Sequence, residues 1–168
     1  MNAKELVTEL TARGLKIVTV ESCTGGALAS AITDEHGASA VLEKAYVTYS
    51  NQAKIDLAAS VGLKDQMEWV LQKHGVYSSA MATEMAFLGT MLSGAKIGVG
   101  ITGTLSRIDP ANPASTVGEV FYTVVGWDGT SRFEKLVTPE GTPKPEAKRL
   151  VVNAVIKTLE GVLEEMKA

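Results

Sequence analysis

The hydrophobic and polar positions of the chain alternate between a helical and an extended pattern. In the first segment Leu6, Val7 and Leu10 repeat at helical spacing, and Gly14 follows as a stop signal. The last segment carries a longer apolar stripe, which is typical of a helix packed along one face. The predicted helices are 3–13, 25–33, a helix that starts at Gln52 behind an Asn51 cap, 65–73, 78–92 and 145–167.

Extended patterns lie between these helices. The predicted strands are 16–20, 44–50, 96–102, 117–127 and 131–138. The third is a continuous apolar run, typical of a strand buried on both faces, and the last two form a hairpin that turns at Asp128-Gly129. This alternation predicts a three-layer α/β/α sandwich with a mixed, mostly parallel sheet. The length suits one such unit, so we expect a single domain over 1–168.

Composition narrows the classes of function. The formal net charge is -3 and the basic residues are dispersed, which argues against a nucleic-acid surface. No apolar run is long enough for a membrane span, and the amino terminus lacks the apolar core of a signal peptide, so we expect a cytoplasmic protein. With Cys23 as the single cysteine and two distant histidines, we expect no disulfide and no metal site.

Three polar clusters directly follow predicted strands. They are Glu21 to Gly26, Tyr49 to Lys54, and Thr102 to Thr104. In open α/β sheets ligands bind at the carboxyl ends of the strands, where such clusters meet. We therefore expect the three clusters to form one site.

The first cluster offers a nucleophile and backbone donors. Ser22 lies at a strand-to-helix turn, where a nucleophile gains exposure, and Gly25 and Gly26 let a ligand approach the backbone N–H groups. Ser22 or Thr24 acting only as a helix cap explains the same residues equally well. Cys23 is interpreted as a small buried thiol, since no histidine lies near it in sequence to activate it.

The second cluster offers a base for Ser22. A serine needs a group that accepts its proton, and a lysine can do this when burial lowers its pKa towards neutrality. Lys54 follows a strand end by one helical turn, and Tyr49 could relay a proton or bind substrate. The alternative is that Lys54 is an ordinary exposed helix lysine.

Taken together, the clusters resemble one family, the carboxy-terminal domain of CinA, which includes bacterial nicotinamide mononucleotide deamidases. The family segment Glu-Ser-Cys-Thr-Gly-Gly is matched by Glu21 to Gly26, and Tyr-Ser-Asn-Glu-Ala-Lys by Tyr49 to Lys54 with Gln52 in place of Glu. Its Val-Thr-Gly is similar to Ile101-Thr102-Gly103, and its His-Gly-x-Val-Ser to 74–78 with one residue shifted. The resemblance covers nearly the whole chain.

The resemblance implies a homo-oligomeric amidohydrolase without cofactor or metal. The substrate would be a pyridine nucleotide, nicotinamide mononucleotide, hydrolysed to nicotinic acid mononucleotide and ammonia. Ser22 would be the nucleophile, Lys54 its base, and Tyr49 an assisting group. The substrate-binding residues implied are Thr24, Gly25, Gly26, Thr102 and Gly103, the first three through an oxyanion hole.

The chain departs from the family after Gly103. It reads "TLSRIDPANPASTVG" where the family carries an Ala-Gly-Pro turn and a glycine-rich loop. Arg107 could supply the phosphate contacts that this loop loses, and Lys144, Lys148 and Arg149 could replace the family's arginines at the last helix. Two alternatives stay open: an amidase of the same mechanism with another small substrate, and a non-catalytic nucleotide-binding oligomer.

Overall fold

A computed structural model of the chain describes residues 1–166, and the predicted helix end at Lys167 lies outside them. The helices are α1 Ala3–Ala12, α2 Ala27–Thr33, α3 Ala38–Val41, α4 Asn51–Ala59, α5 Lys64–His74, α6 Ser79–Ser93 and α7 Lys144–Glu165. The strands are β1 Ile17–Glu21, β2 Leu42–Val47, β3 Ile97–Gly103, β4 Glu119–Gly126 and β5 Ser131–Val137. The short α3 has no counterpart among the predicted elements. No helix within 1–166 is long and apolar enough to cross a membrane.

The strands form one mixed sheet in the order β2-β1-β3-β4-β5. β1 pairs in parallel with β2 and β3, whereas β4 is antiparallel to both β3 and β5. Four strands therefore run in one direction and β4 runs against them. The predicted mixed sheet and the β4–β5 hairpin are confirmed.

Helices cover both faces of the sheet and enclose two hydrophobic clusters. One cluster lies between the sheet and α1, α2, α3 and α7, and includes Leu10, Ile101 and Leu159. The other lies between the sheet and α4, α5 and α6, and includes Val20 and Met85. This is the predicted three-layer sandwich. All of β3 is buried, as its continuous apolar run predicts.

Helix α6 lies unusually close to β3. A Cβ atom added at Gly100 would stand 2.0 Å from the carbonyl oxygen of Ala82, well inside contact distance. The absent side chain at Gly100 is thus what lets the helix backbone approach the strand. This close packing fixes β3, and with it the strand end that borders the site.

The register of the parallel strands brings the three polar clusters together. Glu21 at the end of β1 is paired with Val47 of β2 and with Ile101 of β3. The Ser22 N–H donates to the Ile101 carbonyl at 3.0 Å, and the Thr48 N–H donates to the Glu21 carbonyl at 2.8 Å. The segments after these strands consequently start side by side.

The start of α4 differs from the prediction in one respect that affects the site. β2 ends at Val47 rather than Ser50, and Ser50 caps the helix in place of Asn51 by accepting a hydrogen bond from the Ala53 N–H. A serine hydroxyl caps as well as an asparagine side chain, so the sequence did not separate the two. The earlier helix start leaves Lys54 in the first turn of α4.

Candidate active site

The turn after β1 presents Ser22 at the edge of the sheet. Gly25 and Gly26 have φ values of +61° and +91°, which side chains with a Cβ atom rarely adopt, so this tight turn depends on glycine. Ser22 is only 5% exposed, yet it lines the main cavity. Its hydroxyl is therefore accessible from one side alone.

The buried carboxylate of Glu21 satisfies the amino-terminal end of α2. It accepts hydrogen bonds from the Leu28 N–H at 3.1 Å, the Ala29 N–H at 2.9 Å and the Thr24 hydroxyl at 2.6 Å. The N-cap residue of this helix is Gly26, which has no side chain to do so. Capping by Ser22 or Thr24, the alternative considered above, is absent from this helix end.

Lys54 reaches from α4 to Ser22 through the protein interior. Its Nζ lies 3.1 Å from the Ser22 Oγ and donates to the Thr48 carbonyl at 2.7 Å. The side chain is 1% exposed, so the alternative of an exposed surface lysine is wrong. Burial lowers the pKa of Lys54 to about 8, and electrostatic interactions with Cys23 and with the Asp109 carboxylate partly oppose this effect.

Cys23 lies beside this pair with a different character. It is 8% exposed, and burial raises the pKa of its thiol to about 12 although Lys54 nearby lowers it. The thiol therefore stays protonated near neutral pH and is a poor nucleophile. This agrees with its interpretation as a small buried side chain.

Ser22 and Lys54 open into a cavity of about 640 Å³, a volume typical of small-molecule sites. Of the predicted site residues, Ser22, Tyr49, Lys54, Gly103 and Arg107 line it. Tyr49 is 65% exposed, and no hydrogen bond between its hydroxyl and either Ser22 or Lys54 occurs within 1–166. The structure therefore gathers five predicted residues, with Tyr49 at the rim.

Four other predicted residues lie outside the cavity lining. Thr24 is fully buried and hydrogen-bonded to Glu21, and the Thr102 hydroxyl donates to the Val76 carbonyl at 2.9 Å. The Gly25 N–H donates to the Ser22 carbonyl at 2.9 Å. Gly26 packs near the side chain of Val47. Their substrate-binding roles stay predictions, and the first two hydroxyls are already engaged.

The three basic residues at the start of α7 lie in different environments. Lys144 lines the cavity. Lys148 lies against the turn after β1, with its Nζ 3.2 Å from the position of a Cβ at Gly25. Arg149 is exposed and pairs with Glu146 at 3.8 Å. Among these three candidates, only Lys144 faces the cavity directly.

The cavity also contains a hydrogen-bonded pair that the sequence did not reveal. The Tyr77 hydroxyl donates to the Asp109 carboxylate at 2.7 Å and so links the start of α6 to the loop after β3. No spacing rule in the sequence connects Tyr77 with Asp109, which lie far apart along the chain. The sequence does indicate Arg107, in the same loop as Asp109, as a candidate phosphate ligand. Within 1–166 no group of three His, Cys, Asp or Glu side chains is arranged to hold a metal ion.

A sequence model described as the CinA C-terminal domain matches residues 1–163. The chain belongs to the CinA C-terminal domain family. This confirms the resemblance that the polar clusters indicated. The match includes the turn of Ser22, the helix of Lys54 and most of α7.

Two relatives of this CinA domain are named nicotinamide-nucleotide amidohydrolase PncC. The protein of Enterobacter agglomerans is 35% identical over 125 residues, which are 74% of this chain and 72% of that protein. That of Escherichia coli K12 is 38% identical over 113 residues, 67% of this chain and 64% of that protein. A longer CinA-like protein of Akkermansia muciniphila is 34% identical, and this chain spans 31% of its length.

Solved structures share the fold. The competence/damage inducible protein CihA of Agrobacterium tumefaciens superimposes with a TM-score of 0.81 at 28% identity, covering 95% of this chain and 92% of that one. The competence damage-inducible protein A of Klebsiella pneumoniae gives 0.83 at 24% identity, covering 99% and 100%. The layered architecture is therefore also that of these two solved structures.

Proposed function

We propose that this CinA domain hydrolyses the carboxamide of nicotinamide mononucleotide, releasing ammonia and nicotinic acid mononucleotide. The observation that carries the proposal is the 3.1 Å contact between the Ser22 hydroxyl and a buried lysine amine at the wall of a cavity. A lysine with a pKa near 8 is partly neutral at physiological pH and can accept a proton. The names of the PncC relatives supply the substrate.

In the first half of the reaction, the neutral Lys54 amine accepts the Ser22 hydroxyl proton while Oγ attacks the carboxamide carbon. The carbon–nitrogen bond then breaks, and the Lys54 ammonium returns the proton to the departing nitrogen, which leaves as ammonia. An ester between Ser22 and the pyridine carbonyl remains. Dividing amide hydrolysis into two steps lowers the barrier of each.

In the second half, water attacks the ester carbonyl and Lys54 accepts its proton. The ester bond breaks, the proton passes to Ser22 Oγ, and the carboxylic acid product ionises. The Thr48 carbonyl, 2.7 Å from the Lys54 Nζ, keeps the amine directed at Ser22 through both halves. This fixed position substitutes for the orienting partner of a catalytic histidine.

Backbone N–H groups after Ser22 are the candidates for oxyanion stabilisation. Within 1–166, the N–H groups of Cys23, Thr24 and Gly26 take part in no backbone–backbone hydrogen bond, and those of Cys23 and Thr24 lie close enough to the Cys23 sulfur to lower its pKa. The Cys23 N–H directly follows the nucleophile, a common source of such a donor. Tyr49 stands at the rim, where its hydroxyl can contact substrate or relay a proton when substrate fills the cavity.

The basic residues of the cavity suit the phosphate of the substrate. Arg107 and Lys144 line it from different segments, one from the loop after β3 and one from the start of α7. The forked donors of an arginine match phosphate oxygens well, and a lysine adds a point charge. These two residues take the place of the family's glycine-rich loop and arginines.

Ammonia release from nicotinamide mononucleotide by the purified protein tests the proposal. Ser22→Ala and Lys54→Ala should each reduce kcat by about 10³-fold or more, since each removes a group that acts in both steps. Ser60→Ala and Lys64→Ala, on surfaces away from the cavity, serve as matched controls and should retain activity. Undiminished activity of Ser22→Ala would contradict the mechanism. Release from other carboxamides alone would support the different-substrate alternative.

A further inference from the structure

One acidic side chain stands among the basic groups of the cavity. Of the charged residues that line it in the described chain, Lys54, Arg107 and Lys144 are basic and Asp109 is acidic. Attraction of a phosphate explains basic residues, but a carboxylate opposes phosphate binding. Asp109 therefore suits a different part of the ligand.

The carboxylate of Asp109 is held in place by several donors. Its Oδ2 accepts hydrogen bonds from the Tyr77 hydroxyl at 2.7 Å and the Asn112 side-chain amide at 2.6 Å. Its Oδ1 accepts from the Ala111 N–H at 3.0 Å. All three donors are neutral, so they fix the group without cancelling its charge. They also lower its pKa, which keeps it ionised.

Asp109 acts on the catalytic end of the cavity. Its charge raises the pKa of Lys54, and the charge of Lys54 lowers that of Asp109. Burial and the hydrogen bond to Asp109 raise the pKa of the Tyr77 hydroxyl, and Cys23 and Tyr49 lie near enough to raise it further. The carboxylate is thus electrostatically coupled to the place where the scissile group would bind.

We propose that Asp109 is a specificity-determining residue that selects carboxamides attached to a positively charged ring. The inference rests on the proposed function. In a nicotinamide nucleotide the ring nitrogen bonded to the ribose carries a positive charge, and the carboxamide is attached to that same ring. The proposed binding mode has the carboxamide at Ser22, the ring charge beside the Asp109 carboxylate, and the phosphate at Arg107 and Lys144, all of which line the same cavity. The positive ring of the ligand thus faces the negative Asp109, and its negative phosphate faces the positive Arg107 and Lys144.

The test compares two ligands that differ in ring charge. In a Ser22→Ala background, which prevents turnover, calorimetry measures the dissociation constants of nicotinamide mononucleotide and of its neutral benzamide mononucleotide analogue. Asp109→Asn should weaken binding of the charged ligand by roughly three- to tenfold and leave the neutral ligand unchanged or tighter. An equal change for both ligands, or none for either, overturns the proposal.

Two further variants separate charge from loop structure. Tyr77→Phe removes a hydrogen bond to Asp109 but keeps the carboxylate, so the preference for the charged ring should persist. Asp109→Glu keeps the charge and should retain most of the preference for the charged ring. This variant keeps the test decisive if thermal melting shows that Asp109→Asn folds poorly. If Tyr77→Phe abolishes the preference as fully as Asp109→Asn, loop position rather than charge decides it and the proposal fails.

Binding and turnover can fail independently. Ammonia release with an unchanged ligand preference in Asp109→Asn overturns the role of Asp109 and leaves the proposed function standing. A lost preference without ammonia release from the wild type supports charge selection and refutes the hydrolysis. Failure of both nucleotides to bind overturns the selection of a charged ring.

Discussion

The most informative single residue is Lys54, because its chemistry depends on its burial. A lysine in water is protonated at neutral pH and cannot accept a proton from serine. Placing its amine at 1% exposure, between the Thr48 carbonyl and the Ser22 hydroxyl, brings its pKa down to about 8. The same burial makes Cys23 inert, since it disfavours the thiolate as it disfavours the ammonium.

This residue predicts the pH dependence of activity. In the proposed mechanism the reactive form of Lys54 is the neutral amine, so kcat/KM should rise about tenfold per pH unit at low pH and level off above about 8. Of the neighbours that influence it, Asp109 is ionised throughout this range and the Cys23 thiol is protonated. Initial rates of ammonia release, recorded from about pH 6 to about pH 9, measure this pH profile. A rate independent of pH below 8 would show that Lys54 is not the base.

At the scale of elements, the site depends on how closely α6 approaches the sheet. The ends of three parallel strands carry the polar clusters, and β3, the central strand of the five-stranded sheet, ends at Gly103 and leads into the loop beyond it. The backbone of α6 rests directly on Gly100 of this strand. The contact between α6 and Gly100 therefore holds the helix on the sheet and also positions the strand that leads into the site.

Gly100→Ala should accordingly be strongly destabilising. The new methyl group would meet the Ala82 carbonyl oxygen, a backbone atom that can move only with the whole helix. We expect a loss of about 3 kcal/mol or more in the free energy of unfolding, measured by urea denaturation. Gly161→Ala in α7 is the control, because the group it meets is the mobile end of the Arg132 side chain. Equal stability losses in the two variants would contradict this account.

Several elements follow directly from local patterns, and others do not. The apolar run of β3 fits only a buried strand, and the long apolar stripe of α7 fits only a helix, so the positions of both elements are predicted well. Helix α3 has four residues, fewer than a periodic pattern needs to be visible. The choice of Ser50 over Asn51 as cap depends on where β2 ends, which strand pairing sets.

At the scale of the whole molecule, the site lowers the stability of the fold. The pKa of Lys54 is lower in the folded chain, about 8, than its ordinary value of 10.5. The folded state therefore binds this proton less tightly than the unfolded state does. Below about pH 8 the buried charge destabilises the protein in full, and this penalty disappears as the pH rises towards 10.5.

Lys54→Met should reveal this penalty as a stability difference that depends on pH. We subtract the free energy of unfolding of the wild type from that of the variant. This difference should be largest below pH 8, where the wild type carries the full penalty, and should fall by about 3 kcal/mol by pH 10.5. Urea denaturation across this range measures it. Lys64→Met, which replaces an exposed lysine, should show no such trend. A difference that stays constant with pH would mean that Lys54 is not destabilised by burial.

The sequence by itself determined the layered α/β fold, the family, and the segments that carry the site. Hydrophobic period and short polar motifs are local properties, and they survive in the linear chain. Only the tertiary structure decided that Lys54 is buried against Ser22, that Thr24 and Thr102 are engaged elsewhere, and that Tyr77 holds Asp109 in the cavity. These features depend on strand register and on contacts between distant segments. Burial, which sets the pKa of Lys54, exists only once those segments pack together.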